Sequence, residues 1–293
     1  MKIDDRKTVS RRDAIRLGVA STGALWAAGS PDLARALAPA SGAKVPIGVQ
    51  LYSVRKDCEK DLPGTLHALG ETGFAAVEFA GYYGHTAAEL RKLLDDNRLK
   101  CCGTHIGLDT LLGDALPKTI EFNQTLGNKF LIVPSIPEER RKTADDWRAL
   151  ARLFDDLAGK LGPHGMRVGY HNHDFEFRPV EGSTSTAWDL FFGGTSKAVV
   201  MQVDIGNCIE GGGDPLAILK RYPGRAATIH AKEFSKSRPD AFIGEGDVPW
   251  KAIFDACEGP GGTEWYIVEY EHENQPALPA VSRCLKNLRA MGK

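Results

Sequence analysis

The chain has 293 residues, 42% of them hydrophobic, with 37 Lys and Arg against 38 Asp and Glu and a formal charge of −1. That length and apolar share suit one large domain or two small ones with a real core, and the near-neutral balance excludes the basic surface that grips nucleic acid non-specifically. The six cysteines, at 58, 101, 102, 208, 257 and 284, show no C-x-x-C spacing, which argues against a zinc ribbon or a dithiol redox motif and for small buried hydrophobes.

In chain order, the first forty residues stand apart. "VSRRDAIRLGVASTGALWAAGS" carries Arg11 and Arg12 and then a weakly apolar Gly/Ala-rich run, and Ala38 and Ala40 in "ALAPA" fit a small-residue cleavage rule. Residues 1–40 are therefore expected to be a twin-arginine-type signal peptide, with an ordinary amphipathic first helix as the alternative, and the exported, periplasmic chain to begin near Ser41. Without that leader, 30 Lys and Arg face 34 Asp and Glu. No other apolar run approaches the roughly 18 residues of a membrane span, so no span is expected in the mature chain.

From residue 46 onward, short apolar or β-branched runs alternate with longer stretches of helical period. The predicted strands are 46–52, 75–79, 100–105, 129–134, 166–171, 198–204, 226–230 and 265–270. Between them, Thr86 and Glu89 have capping-box spacing, Asp214 with Pro215 reads as an N-cap followed by proline in the first turn, and Gly73 and Gly162 fall where helices should stop. Eight β-then-α units in about 250 residues predict an α/β fold, a single (β/α)8 TIM barrel over residues 41–293. A doubly wound open sheet is the alternative, disfavoured because no G-x-G-x-x-G follows the first strand.

Barrels of this kind build their chemistry at the C-terminal ends of the strands, and here those ends are polar. In chain order they offer Glu78, His105, His171 with His173, Asp204, His230 with Lys232, and Glu269 with Glu271. Any one of them alone has an ordinary reading as a solvated strand end or a turn former. Together they point to a site, and Asp204 weighs most, because "VVMQVD" is apolar up to it and a buried carboxylate needs positive charge nearby. One divalent cation (Mn, Mg, Co, Fe or Zn) held by His171, Asp204, His230 and Glu269 would satisfy all four and leave room for the oxygens of a small polyol or hydroxy-ketone.

The stretches "GVQLYSVR", "GYHNHDFEF", "VDIGN", "GDPLAILKRYPGR", "HAKEF", "GEGDVPW" and "IVEYE" resemble the xylose isomerase-like TIM barrels, over roughly residues 45–290. That superfamily includes sugar isomerases and epimerases, inosose dehydratase and apurinic endonucleases. The resemblance implies a metal held by Glu, Asp, His and Glu from strands five to eight. Asp204, His230 and Glu269 match the last three, and His171 stands where the first Glu is expected. It further implies Glu269 as the proton-abstracting base, with His171, His173 or Lys232 as its acidic counterpart, and His173 addressing substrate. Asn207, Gln50, Glu78 and His105 would line a sugar pocket under a loop bearing Glu245 and Trp250.

The expected activity is isomerisation or epimerisation of a small, unphosphorylated sugar or keto-sugar. Elimination from a keto-sugar or keto-glycoside is the close alternative, because the exchange at His171 removes one of two carboxylate bases. A non-catalytic carbohydrate-binding barrel is the rival from another class. No nucleic-acid partner is expected, and a homo-oligomer is left open.

Overall fold

A computed structural model describes residues 44–293, so the expectation of a signal peptide over residues 1–40 lies outside the described residues. Eight parallel strands form the sheet: β1 (Ile47–Gln50), β2 (Ala76–Ala80), β3 (Lys100–His105), β4 (Phe130–Val133), β5 (Arg167–His171), β6 (Val200–Asp204), β7 (Thr228–Ala231) and β8 (Trp265–Val268). Each bound lies within two residues of the sequence expectation. β1 pairs with β2 on one side and with β8 on the other, which closes the barrel and rules out the open sheet.

The helices that cover the outside are α1 (Arg55–Thr72), α2 (Ala87–Asp96), α3 (Ala115–Leu126), α4 (Ala144–Leu161), α5 (Ala187–Gly194), α6 (Ile205–Glu210), α7 (Pro215–Arg221), α8 (Trp250–Ala256) and α9 (Ala277–Ala290). Their ends follow local chemistry. Thr86 and Glu89 close a capping box at the start of α2, and Asp214 Oδ1 accepts from the backbone N–H groups of Leu216 and Ala217 to start α7. Gly73 ends α1 in the left-handed region at φ 96°. α4 stops before Gly162 as expected, but by passing into a short 3₁₀ turn, and Gly165 takes the left-handed conformation (φ 70°) instead. All six cysteines are buried free thiols. Among the described residues no helix is long and apolar enough to cross a membrane.

Side chains alternate in and out along each strand, so β6 turns Val200, Gln202 and Asp204 to one face and Met201 and Val203 to the other. The apolar barrel interior includes Phe130, Ile132, Val200 and Ala227, with Ala76, Cys102 and Ile267 beside them and Trp265 packed against both groups. Toward the C-terminal ends it becomes polar: Gln50, Glu78, Gln202 and Thr228 are fully buried, and His171, Asp204, His230 and Glu269 are buried with them.

Candidate metal centre

His171 ends β5, Asp204 ends β6, His230 lies one residue before the end of β7, and Glu269 follows β8 directly. Adjacent parallel strands in near register carry these residues to one rim, and each offers a ligand atom within 4.8 Å of the others'. Asp204 Oδ1 accepts from the Asn207 backbone N–H at 2.7 Å, whereas Oδ2 is buried without a hydrogen-bond partner. Burial, with Glu269 adding to it and Lys232 opposing, pushes the Asp204 carboxyl up to about 8.

Glu269 is the counterpart. Burial would raise it, but His230 and Lys232 hold it well below the usual carboxylate range. His230 hydrogen-bonds Glu269 through Nδ1 and Glu78 through Nε2, the latter at 2.6 Å. Burial disfavours its charge, yet the two carboxylates prevail and push the imidazole up to about 10.

His171 behaves in the opposite way. Burial, and then the neighbouring His230 and His105 rings, hold it well below the usual imidazole value, so it is a neutral base. Its Nδ1 lies 3.1 Å from Gln202 Oε1, an acceptor, which places the proton on Nδ1 and the lone pair on Nε2.

Gln202 and Glu78 form the floor beneath these residues. Gln202 Oε1 also accepts from His105 Nε2 at 2.8 Å, and its Nε2 donates to Glu78 Oε1 at 2.8 Å and to Thr228 Oγ1 at 3.0 Å. Glu78 Oε2 accepts from Gln50 Nε2 at 2.8 Å. Glu78 is therefore not at a strand end facing the mouth, because β2 runs on to Ala80 and its carboxylate lies inside the barrel with no accessible surface. Gln50 is equally enclosed. The expected sugar-pocket role of both gives way to that of a buried network, and His105, partly exposed, is the member nearest the mouth.

Around the rim, Asn172 clamps Asp204: its Oδ1 accepts from the Asp204 N–H at 2.9 Å and its Nδ2 donates to the Asp204 carbonyl at 3.2 Å. Asn207 uses its side-chain amide on the Asn172 carbonyl at 3.3 Å, so it braces the same loop. The imidazole of His173 is about half exposed, 45%, and its Nδ1 lies 4.0 Å from Glu176 Oε1. Glu176 is fully buried, accepting from Tyr170 Oη at 2.6 Å and from the His173 backbone N–H at 2.8 Å. Lys232 pairs with Glu271, and Asp204 and Glu269 nearby overcome burial to raise its pKa.

The loop between β7 and α8 departs from expectation. Glu245 is engaged by Arg283 and Asn287 of the outer helix α9, at 2.8 to 3.0 Å. Trp250 is buried in α8, stacked on Phe254, with its indole N–H donating to Glu233 Oε2 at 2.7 Å. Both side chains anchor the loop from outside instead of covering a pocket. Glu233 organises it, also accepting from the backbone N–H groups of Gly244 at 2.6 Å and Val248 at 3.1 Å. Sequence reasoning missed Gln202, Asn172, Glu176 and Glu233. Gln202 left a signal, being two residues before Asp204 and so on the same face of an otherwise apolar strand.

The donor set fits a divalent cation: two imidazoles, two carboxylates, mutual proximity, and an Asp204 oxygen that nothing in the protein satisfies. The family model for the xylose isomerase-like TIM barrel matches residues 66–290, and the chain belongs to that family. It is 25% identical over 253 residues to the rhizopine catabolism protein MocC of Rhizobium meliloti, covering 73% of this chain and 76% of that one. It is 28% identical over 156 residues to an inosose dehydratase of Lacticaseibacillus casei, where the match covers 47% of this chain and about half (51%) of the relative. Among solved structures, a sugar phosphate isomerase/epimerase from Parabacteroides distasonis superposes with a TM-score of 0.71 at 24% identity, covering 87% of this chain and 97% of that one. The IOLI protein with a zinc atom bound shares the fold at a TM-score of 0.64 and 12% identity, over 84% of this chain and 97% of that one.

Proposed function

We propose that the protein is a divalent-metal-dependent enzyme that isomerises a small, unphosphorylated sugar or keto-sugar by removing a proton next to a carbonyl. The single observation that carries this reading is the quartet itself, with Glu269 held ionised beside an unsatisfied Asp204 oxygen. His171 through Nε2, Asp204, His230 and Glu269 would hold the cation. Once bound it would supply Lewis acidity toward a substrate carbonyl.

The chain's own groups divide the remaining work. Glu269 is the base, ionised and at the edge of the ligand set. Lys232, braced by Glu271, and the half-exposed His173 are the N–H groups able to donate to a substrate oxygen as charge develops there. One carboxylate base suits transfer of a proton along one face of the substrate, which is isomerisation. Epimerisation requires a second base on the opposite face, and His171, whose Nδ1–H is fixed on Gln202 and whose Nε2 lone pair is assigned to the cation, is not free to be one.

A second reading, dehydration of a cyclic keto-polyol, is supported by the inosose dehydratases among the relatives and by Lys232, which can protonate a departing hydroxyl. We also propose, from Arg11, Arg12 and the Ala38/Ala40 site, that the protein is exported. N-terminal sequencing of the periplasmic form should then begin near Ser41, and an intact Met1 there would refute it.

NMR in deuterated water tests the reaction, with metal-loaded protein and an inosose or D-fructose as probes. Deuterium entering beside the carbonyl without loss of a substituent supports isomerisation, and release of water with a new C=C supports dehydration. Tight binding with neither change would identify a carbohydrate-binding barrel. Glu269→Gln should lower turnover roughly 100- to 10,000-fold while the fold persists.

A further inference from the structure

We infer that Glu78 is the positioning carboxylate of the metal centre, fixing His230 so that Nδ1 carries the lone pair and faces the quartet. This rests on the metal-dependent reading above. Glu78 Oε2 lies 2.6 Å from His230 Nε2, so an N–H on Nε2 donates downward, and Nδ1, which hydrogen-bonds Glu269 in the metal-free protein, is the nitrogen that would give up its proton to ligate.

The surroundings of Glu78 are built for a carboxylate and for nothing else of that size. Four nitrogens converge on it: Gln50 Nε2 and Gln202 Nε2 at 2.8 Å, His230 Nε2 at 2.6 Å and His105 Nε2 at 3.2 Å. A carboxylate is all acceptor, with about four lone-pair sites, whereas an amide would turn an NH₂ group toward donors. Space for it is made by the neighbouring strand. Gly103 of β3 pairs with Glu78, and any Cβ there would overlap Glu78 Oε1. The β2–β3 register shifts between Val77 and Glu78, where β3 carries the extra residue Cys102 and so brings Gly103 opposite Glu78.

Glu78 has no accessible surface and none of its hydrogen-bond partners is Lys or Arg, so it reaches the centre only through His230 and the Gln202 bridge to His171. A charge buried in this way is costly unless it is compensated. In the metal-free protein the ion pair with His230 compensates it; a bound cation one residue away would take over that role as it displaces the Nδ1 proton.

The test uses Co²⁺ and Zn²⁺ as probes, titrated calorimetrically into the chelator-stripped full chain. The visible spectrum of the Co²⁺ form reports the ligand geometry. Glu78→Gln is expected to weaken both ions roughly 10- to 100-fold at unchanged stoichiometry and to move the Co²⁺ bands, a signature that a merely structural residue would not alter. Wild-type affinity and spectrum in folded Glu78→Gln overturns the inference. Should that variant not fold, Gln50→Leu removes one donor to Glu78 without touching the quartet. A several-fold loss of Co²⁺ affinity is then expected, and no loss overturns the inference. A wild type that binds neither ion would sink the metal-dependent reading as well, whereas intact wild-type binding with an unaffected variant sinks the positioning role alone.

Discussion

Gln202 Oε1 accepts from two imidazoles at once, His171 Nδ1 at 3.1 Å and His105 Nε2 at 2.8 Å. With its Nε2 on Glu78 and Thr228, every hydrogen-bonding position of the amide is used. Gln202→Leu strands several buried polar partners, and a loss of roughly 2–4 kcal/mol is expected from their unmet hydrogen bonds. Urea denaturation of the metal-free protein measures it, and a loss below about 1 kcal/mol would show that the network relaxes around the gap.

Asp204→Asn separates stability from binding. Removing a carboxyl that burial has pushed up to about 8 should leave the metal-free Tm unchanged or higher. The same substitution should abolish the rise in Tm on adding Zn²⁺, which in the wild type reflects a stabilisation of about 2.7 kcal/mol at a hundredfold excess over Kd. Scanning fluorimetry with and without Zn²⁺ reads both, and a retained shift would remove Asp204 from the ligand set.

Glu176 sets a pH dependence. Burial, against hydrogen bonds from Tyr170 and the His173 backbone, raises its carboxyl from 4.5 to about 7. The folded protein therefore holds a proton that the unfolded chain has released, so this contribution is fully present below about 4.5 and is lost as pH rises through about 7. Glu176→Gln should flatten the fall of Tm between pH 5 and 8 (roughly that window) relative to wild type. Parallel Tm curves for the two proteins would show that Glu176 is already ionised in the fold.

Glu233→Ala should free the loop between β7 and α8, because three of the groups it holds, the N–H of Gly244, the N–H of Val248 and the Trp250 indole, lose their acceptor. Limited trypsin digestion should then cut faster after Lys236, in that loop, with Zn²⁺ affinity unchanged. Equal digestion rates would mean that Glu245 and Arg283 suffice as the anchor.

The eight strands were legible because parallel strands buried on both faces read as apolar runs, and the quartet was legible because the runs of β5 to β8 break into polar residues at one end. What could not be read was direction and depth. Gln202 meets partners 97 and 124 positions away, with no local pattern to signal them. Glu78 looked like a strand end because it is the polar residue near the end of a short run, whereas the strand continues to Ala80 and alternation puts the carboxylate inside with Ala76. "GEGDVPW" identified the loop after β7, but the aim of Glu245 and Trp250 depends on α9 and Glu233, which only the folded chain brings near.

The absent side chain at position 103 ties two distant sites into one heritable choice. A lineage that gains even alanine there must shorten or lose the acid at 78, and one that loses the acid opens a void against β3 that a larger residue at 103 could fill. The two positions should therefore drift as a pair, glycine with glutamate or neither.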